Sequence, residues 1–154
     1  MSQTGTLPLA DEAATAALGA ALAKVLRAGD CVALSGGLGA GKSFLARAVL
    51  RELGWAGDVP SPTFTLVQDY DLAPPVWHVD LYRLAGPDEA EALGLFETDA
   101  ALLIEWPERL GARLPADALR LAIAGAGDEP RRLTWTAPTA WKDRWPPLLP
   151  PINA

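Results

Sequence analysis

Gly36-Gly37-Leu38-Gly39-Ala40-Gly41-Lys42-Ser43 follows a short apolar run, Cys31 to Ser35, and precedes Leu45, Val49 and Leu53 at helical spacing. The eight residues have the pattern G-x-x-x-x-G-K-[ST]. Between a strand and a helix, that pattern forms a backbone cradle for phosphate. Its glycines let the chain curl until successive N–H groups face one anion. The N-terminus of the following helix adds partial positive charge beneath it. Lys42 is then placed to reach β- and γ-phosphates, and the Ser43 hydroxyl to sit on Mg²⁺. Gly37, Leu38, Gly39, Ala40, Gly41, Lys42, Ser43 and Phe44 are the expected phosphate contacts.

Composition narrows what surrounds the loop. The 154 residues suit one domain, and a hydrophobic share of 50% is enough for a core. The expected domain covers residues 1–145. Residues 146–154, rich in proline, read as a loose tail. No run of 18 uncharged apolar residues is present, and Met1 to Leu9 has neither a basic nor an apolar leader region. With Cys31 as the one cysteine, no internal disulfide can form. A cytoplasmic protein without membrane contact is expected. The net charge of −6 argues against broad electrostatic binding of nucleic acid.

The remaining elements alternate. Thr6 to Leu9 reads as a short strand, and Asp11 as the N-cap of a helix reaching about Arg27. Phe64 to Tyr70, Val76 to Leu81 and Ala101 to Trp106 read as strands, with a short acidic helix from Pro87 to Leu95. Leu119 to Ala124 and Arg132 to Ala137 form a hairpin, and a helix follows Pro138 through Trp145. The expected fold is α/β: a three-layer sandwich of the P-loop NTPase kind, its sheet mostly parallel with antiparallel additions.

A phosphate loop needs acids near the metal. Asp80 and Glu105 both end apolar strands, where a carboxylate points into the ligand crevice of a parallel sheet. Ser61-Pro62-Thr63-Phe64-Thr65 lies where a γ-phosphate sensor would stand, with Thr63 and Thr65 as its hydroxyls. His78, the one histidine, lies two residues before Asp80 and on the same side of its strand. It reads either as a structural residue or as a partner of Asp80 or of a water. No N-K-x-D or D-x-x-G is present, which favours adenine over guanine. A nucleotide switch without turnover and a small-metabolite kinase also fit a phosphate loop. The two acids favour turnover, and the scattered arginines do not form a kinase lid.

Four stretches stand in order: the phosphate loop; Ser61 to Val67; His78-Val79-Asp80-Leu81-Tyr82-Arg83-Leu84; and Ile104-Glu105-Trp106-Pro107-Glu108. Together they closely resemble the TsaE (YjeE) family, ATPases of bacterial tRNA threonylcarbamoyladenosine synthesis, from about Leu9 to Thr136. The resemblance implies weak ATPase activity alone, with ATP as substrate and Mg²⁺ as cofactor. It also implies work with the proteins TsaD and TsaB on the adenosine next to the anticodon. By position it makes Ser43 and Glu105 the Mg²⁺ ligands and Asp80 the acid needed for hydrolysis, at or near the metal. It puts Trp106 beside the nucleotide, Thr15 near the adenine, and Arg132 approaching the adenine from the last hairpin. Two departures stand out. Gly37 is often Asp in the family, and Ser43 is often Thr.

Overall fold

The structure, a computed structural model, describes residues 2–37, 39–60 and 66–146. Leu38, the Ser61 to Thr65 stretch and residues 147–154 lie outside the described residues.

The strands are β1 (Gln3–Leu9), β2 (Cys31–Gly36), β3 (Val67–Tyr70), β4 (Val76–Asp80), β5 (Ala101–Glu105), β6 (Leu119–Ala124) and β7 (Arg131–Ala137). They form one sheet in the order β1-β7-β6-β2-β5-β4-β3. The middle strands β6, β2, β5 and β4 are parallel, and antiparallel pairs close both edges. The two central strands, β2 and β5, are almost uninterrupted apolar runs because helices cover both their faces.

One face carries α1 (Glu12–Val25) and α2 (Lys42–Glu52), packed on Val32, Leu34, Val76, Ala101 and Leu103. The other carries α3 (Pro87–Glu91) and a 3₁₀ segment, Pro107–Arg113, over Cys31, Val79, Leu102 and Ile104. Alternate residues of each strand feed the two cores, as the pleat requires. The result is three layers, with an α/β sheet that is parallel at its centre. Burial pushes the Cys31 thiol up to about 12, reinforced by Asp117 and Asp30, so it stays an unreactive core group.

Asp11 caps α1 as its sequence position predicts, accepting a hydrogen bond from the Ala14 N–H at 2.9 Å. Two helices are shorter than their patterns predict. α3 stops at Glu91, and Gly94 takes a left-handed conformation (φ 67°) just beyond it. The expected helix through Trp145 is a 3₁₀ turn, Thr139–Trp141, followed by one further turn. Pro138 and Pro146 bound that segment. Its side chains instead fasten it down. Arg144 lies over the Trp141 ring and grips the Asp30 carboxylate with two nitrogens at 2.6 and 3.0 Å. Asp30 immediately precedes β2, so the end of the chain braces the strand that feeds the phosphate loop.

Candidate functional site

The loop after β2 has the backbone that its glycines permit. Gly36 has φ +150°, and a Cβ there would meet the Ile123 carbonyl at 2.6 Å. Gly41 is the left-handed N-cap of α2 (φ 112°), a conformation that costs any L side chain. At Gly37 a Cβ would meet nothing within 4 Å. The family's frequent Asp at that position would therefore have room.

Lys42 begins α2 and is only 5% exposed. Its Nζ donates to the carbonyls of Gly36 (2.5 Å) and Gly37 (3.1 Å) and sits 4.2 Å from the Trp106 ring centroid. Burial holds its pKa below the usual lysine value, against an upward pull from Glu105, Glu108 and Asp80. An ammonium placed this way, beside a loop of curled backbone, is suited to a polyanion. A phosphate oxygen is a stronger acceptor than the carbonyls it now uses.

The β4–β5 register sets Asp80 directly opposite Glu105, at the carboxyl ends of two adjacent parallel strands. Both side chains lie on the α1/α2 face, which brings them to the start of α2. Asp80 is 5% exposed and Glu105 3%. The Ser43 hydroxyl reaches both Glu105 oxygens, at 3.1 and 3.0 Å. Asp80 accepts the Tyr82 N–H at 2.9 Å, which fixes its carboxylate at the end of the strand. Among the described residues no three His, Cys, Asp or Glu side chains form a metal-holding group. A hydroxyl with two buried carboxylates nevertheless fits a cation that keeps much of its water and takes other oxygens from phosphate, as Mg²⁺ does. Ser43, Glu105 and Asp80 are the residues that would hold it.

β5 ends at Glu105, and Trp106 turns the chain with a left-handed backbone (φ 59°) ahead of Pro107. This turn is why adjacent residues of one strand end can both serve the same crevice. Trp106 packs against Tyr82, with ring centroids 4.8 Å apart and planes inclined by 50°, and presents its ring to Lys42.

A cavity of about 430 Å³ opens on the other side of the loop. Leu9, Asp11 and Thr15 line it from the α1 side, Ala40, Gly41 and Phe44 from the loop and α2, and Gly127 to Glu129 from the last hairpin. Thr15 is buried there, its hydroxyl at 3.5 Å from the Asp11 carbonyl. The arginine on this cavity is Arg131 rather than Arg132. Neighbouring residues of a strand face opposite ways, and Arg132 is exposed on the outer side of β7. Arg131 donates to the carbonyls of Ala40 (3.0 Å), Gly39 (3.2 Å) and Gly127 (3.2 Å), and to that of Glu129. It ties the hairpin to the phosphate loop.

Sequence position alone did not reveal two of these contacts. Arg131 was visible only as one of an adjacent arginine pair. His78 reaches Glu105 on the next strand and not Asp80 on its own, with Nε2 2.6 Å from Oε2. The β4–β5 register decides that, and register is not written in either strand separately.

A chain from Streptomyces coelicolor called tRNA threonylcarbamoyladenosine biosynthesis protein TsaE is 45% identical, over 77% of this chain and 87% of its own. The protein of that name from Bacillus subtilis is 41% identical, over 80% of this chain and 78% of its own. The crystal structure of Bacillus subtilis YdiB superposes with a TM-score of 0.74 at 30% identity, covering 89% of this chain and 87% of that one. The family model described as threonylcarbamoyl adenosine biosynthesis protein TsaE matches residues 9–133, a span that holds the phosphate loop, both strand-ending acids and the hairpin arginine. The chain belongs to the TsaE family.

Proposed function

We propose that this chain binds ATP with Mg²⁺ and hydrolyses it to ADP and phosphate in support of threonylcarbamoyladenosine modification of tRNA next to the anticodon. The observation that carries the proposal is the pairing of two buried carboxylates, Asp80 and Glu105, beside the Ser43 hydroxyl at the mouth of a lysine-bearing phosphate loop. The loop N–H groups and Lys42 hold the phosphates. The cavity beside Thr15 and Phe44 takes the base, against the Arg131 side of the hairpin. Ser43 and Glu105, with Asp80 at or near them, would hold the metal, which would supply neutralisation of the charge on the phosphates. Asp80, held by the Tyr82 N–H, orients the attacking water. Burial of both acids keeps these charges in a low dielectric, where they act more strongly than in water.

The proposed unit is a single P-loop ATPase domain over 1–145 with a tail over 146–154, working in the cytoplasm. No described helix is long and apolar enough to cross a membrane. Its proposed partners are the TsaD and TsaB proteins, which carry the threonylcarbamoyl transfer and the tRNA contact. The net charge of −6 argues against broad electrostatic binding of tRNA by this chain itself. Phosphate release from ATP is the test. Release is expected to require Mg²⁺, to be slow with the chain alone and to rise with TsaD and TsaB present. Transfer of the phosphoryl group to a metabolite instead of water would contradict the proposal.

Trp106 is expected to report occupancy. Its ring lies 4.2 Å from Lys42 Nζ, so a phosphate that draws Lys42 away changes what the indole faces. The difference in emission with and without ATP, at equal occupancy and with Mg²⁺, should shrink in Trp106→Phe. An identical difference in both proteins would show that Trp106 does not face the site.

A further inference from the structure

His78 lies on β4 with its Cα opposite Leu103, so Glu105 is its diagonal neighbour on the same face of β5. It is 1% exposed. A carboxylate only accepts hydrogen bonds, so the Nε2 atom 2.6 Å from Glu105 Oε2 is the nitrogen that donates. Nδ1 is buried and has no partner among the described residues. The ring is thus oriented for Glu105 alone, at the expense of its other nitrogen. Glu105 in turn receives three polar contacts from two directions, the Ser43 hydroxyl at 3.1 and 3.0 Å from the loop side and His78 from within the sheet.

We infer that His78 is a positioning residue for the metal site. It ties one Glu105 oxygen to the sheet, sets the rotation of the carboxylate, and so fixes where its remaining lone pairs point. Outer hydrogen-bond partners of a ligating carboxylate act in this way on metal affinity. Buried behind Glu105 and bonded to it, His78 acts through that carboxylate, so its loss should leave metal-free nucleotide binding alone and weaken the response to Mg²⁺. The inference rests on the reading that Glu105 serves the cation.

The test is calorimetric titration of ADP at graded Mg²⁺ into wild type, His78→Phe and His78→Gln, with melting curves as a check on folding. Phenylalanine fills the ring's space without a donor, and the glutamine amide reaches close to the position of Nε2. Metal-free ADP affinity is expected to stay within about twofold in all three. The Mg²⁺ concentration at half effect should rise about tenfold or more in His78→Phe, and most of that rise should disappear in His78→Gln. If His78→Phe does not fold, His78→Asn takes its place, because the asparagine amide stops short of Glu105. An unshifted midpoint in the variant without a donor, or an equal shift in His78→Gln, overturns the positioning role. No Mg²⁺ response in wild type overturns the metal-site reading itself, and the inference with it.

Discussion

Lys42→Ala is expected to bind ATP at least two orders of magnitude more weakly than the wild type. Lys42 is the one lysine of the loop, and its buried Nζ is held within reach of the cradle by the Gly36 and Gly37 carbonyls. A bound triphosphate exchanges those neutral acceptors for charged ones. Each charge-assisted hydrogen bond contributes about 1.5–3 kcal/mol, so losing two costs roughly two to four orders of magnitude in Kd. The backbone cradle and helix N-terminus remain, which is why some affinity survives. Titration calorimetry with a folded variant is the measurement. Wild-type affinity there would remove the nucleotide site from this loop.

Asp80→Ala is expected to give the opposite profile, with ATP still bound and turnover lost. Asp80 does not line the base cavity, and it is proposed to act at the metal or on the attacking water, so its effect is assigned to the transition state. Groups that position or deprotonate a nucleophile contribute about 10²–10⁴-fold in rate, and a fall in that range is expected under saturating ATP. Alanine also takes away the acceptor for the Tyr82 N–H. Asp80→Asn keeps an oxygen for that bond and removes the charge, which separates catalysis from the shape of the turn. Both variants should lose phosphate release. Wild-type turnover in Asp80→Asn would deny the carboxylate its role.

The sequence was most legible where local chemistry dictates geometry. The glycines and lysine of residues 36–42 specify a strand-loop-helix unit, and the apolar runs before Asp80 and Glu105 specify buried parallel strands whose ends meet it. Pro107 correctly signalled the end of β5, and with it the turn that brings Trp106 to Lys42. What could not be read depends on the relation between elements. Glu105 belongs to His78 because β4 and β5 pair in one register, and a shift of a single residue would have placed His78 beside another face. The same one-residue alternation puts Arg131 on the cavity and sends Arg132 to solvent, although the resemblance carried Arg132 over. Helix ends were misread where proline bounds or a left-handed glycine cut a helical pattern short, as after Glu91 and around Trp141.

The most direct test is the amount of threonylcarbamoyladenosine in tRNA from cells whose own copy of this protein is replaced by Asp80→Asn, measured by mass spectrometry of digested tRNA. If ATP hydrolysis at this site drives the modification, the modified nucleoside falls to the level seen when the protein is depleted, while the variant accumulates normally. Full modification with a variant shown not to hydrolyse ATP would contradict the account.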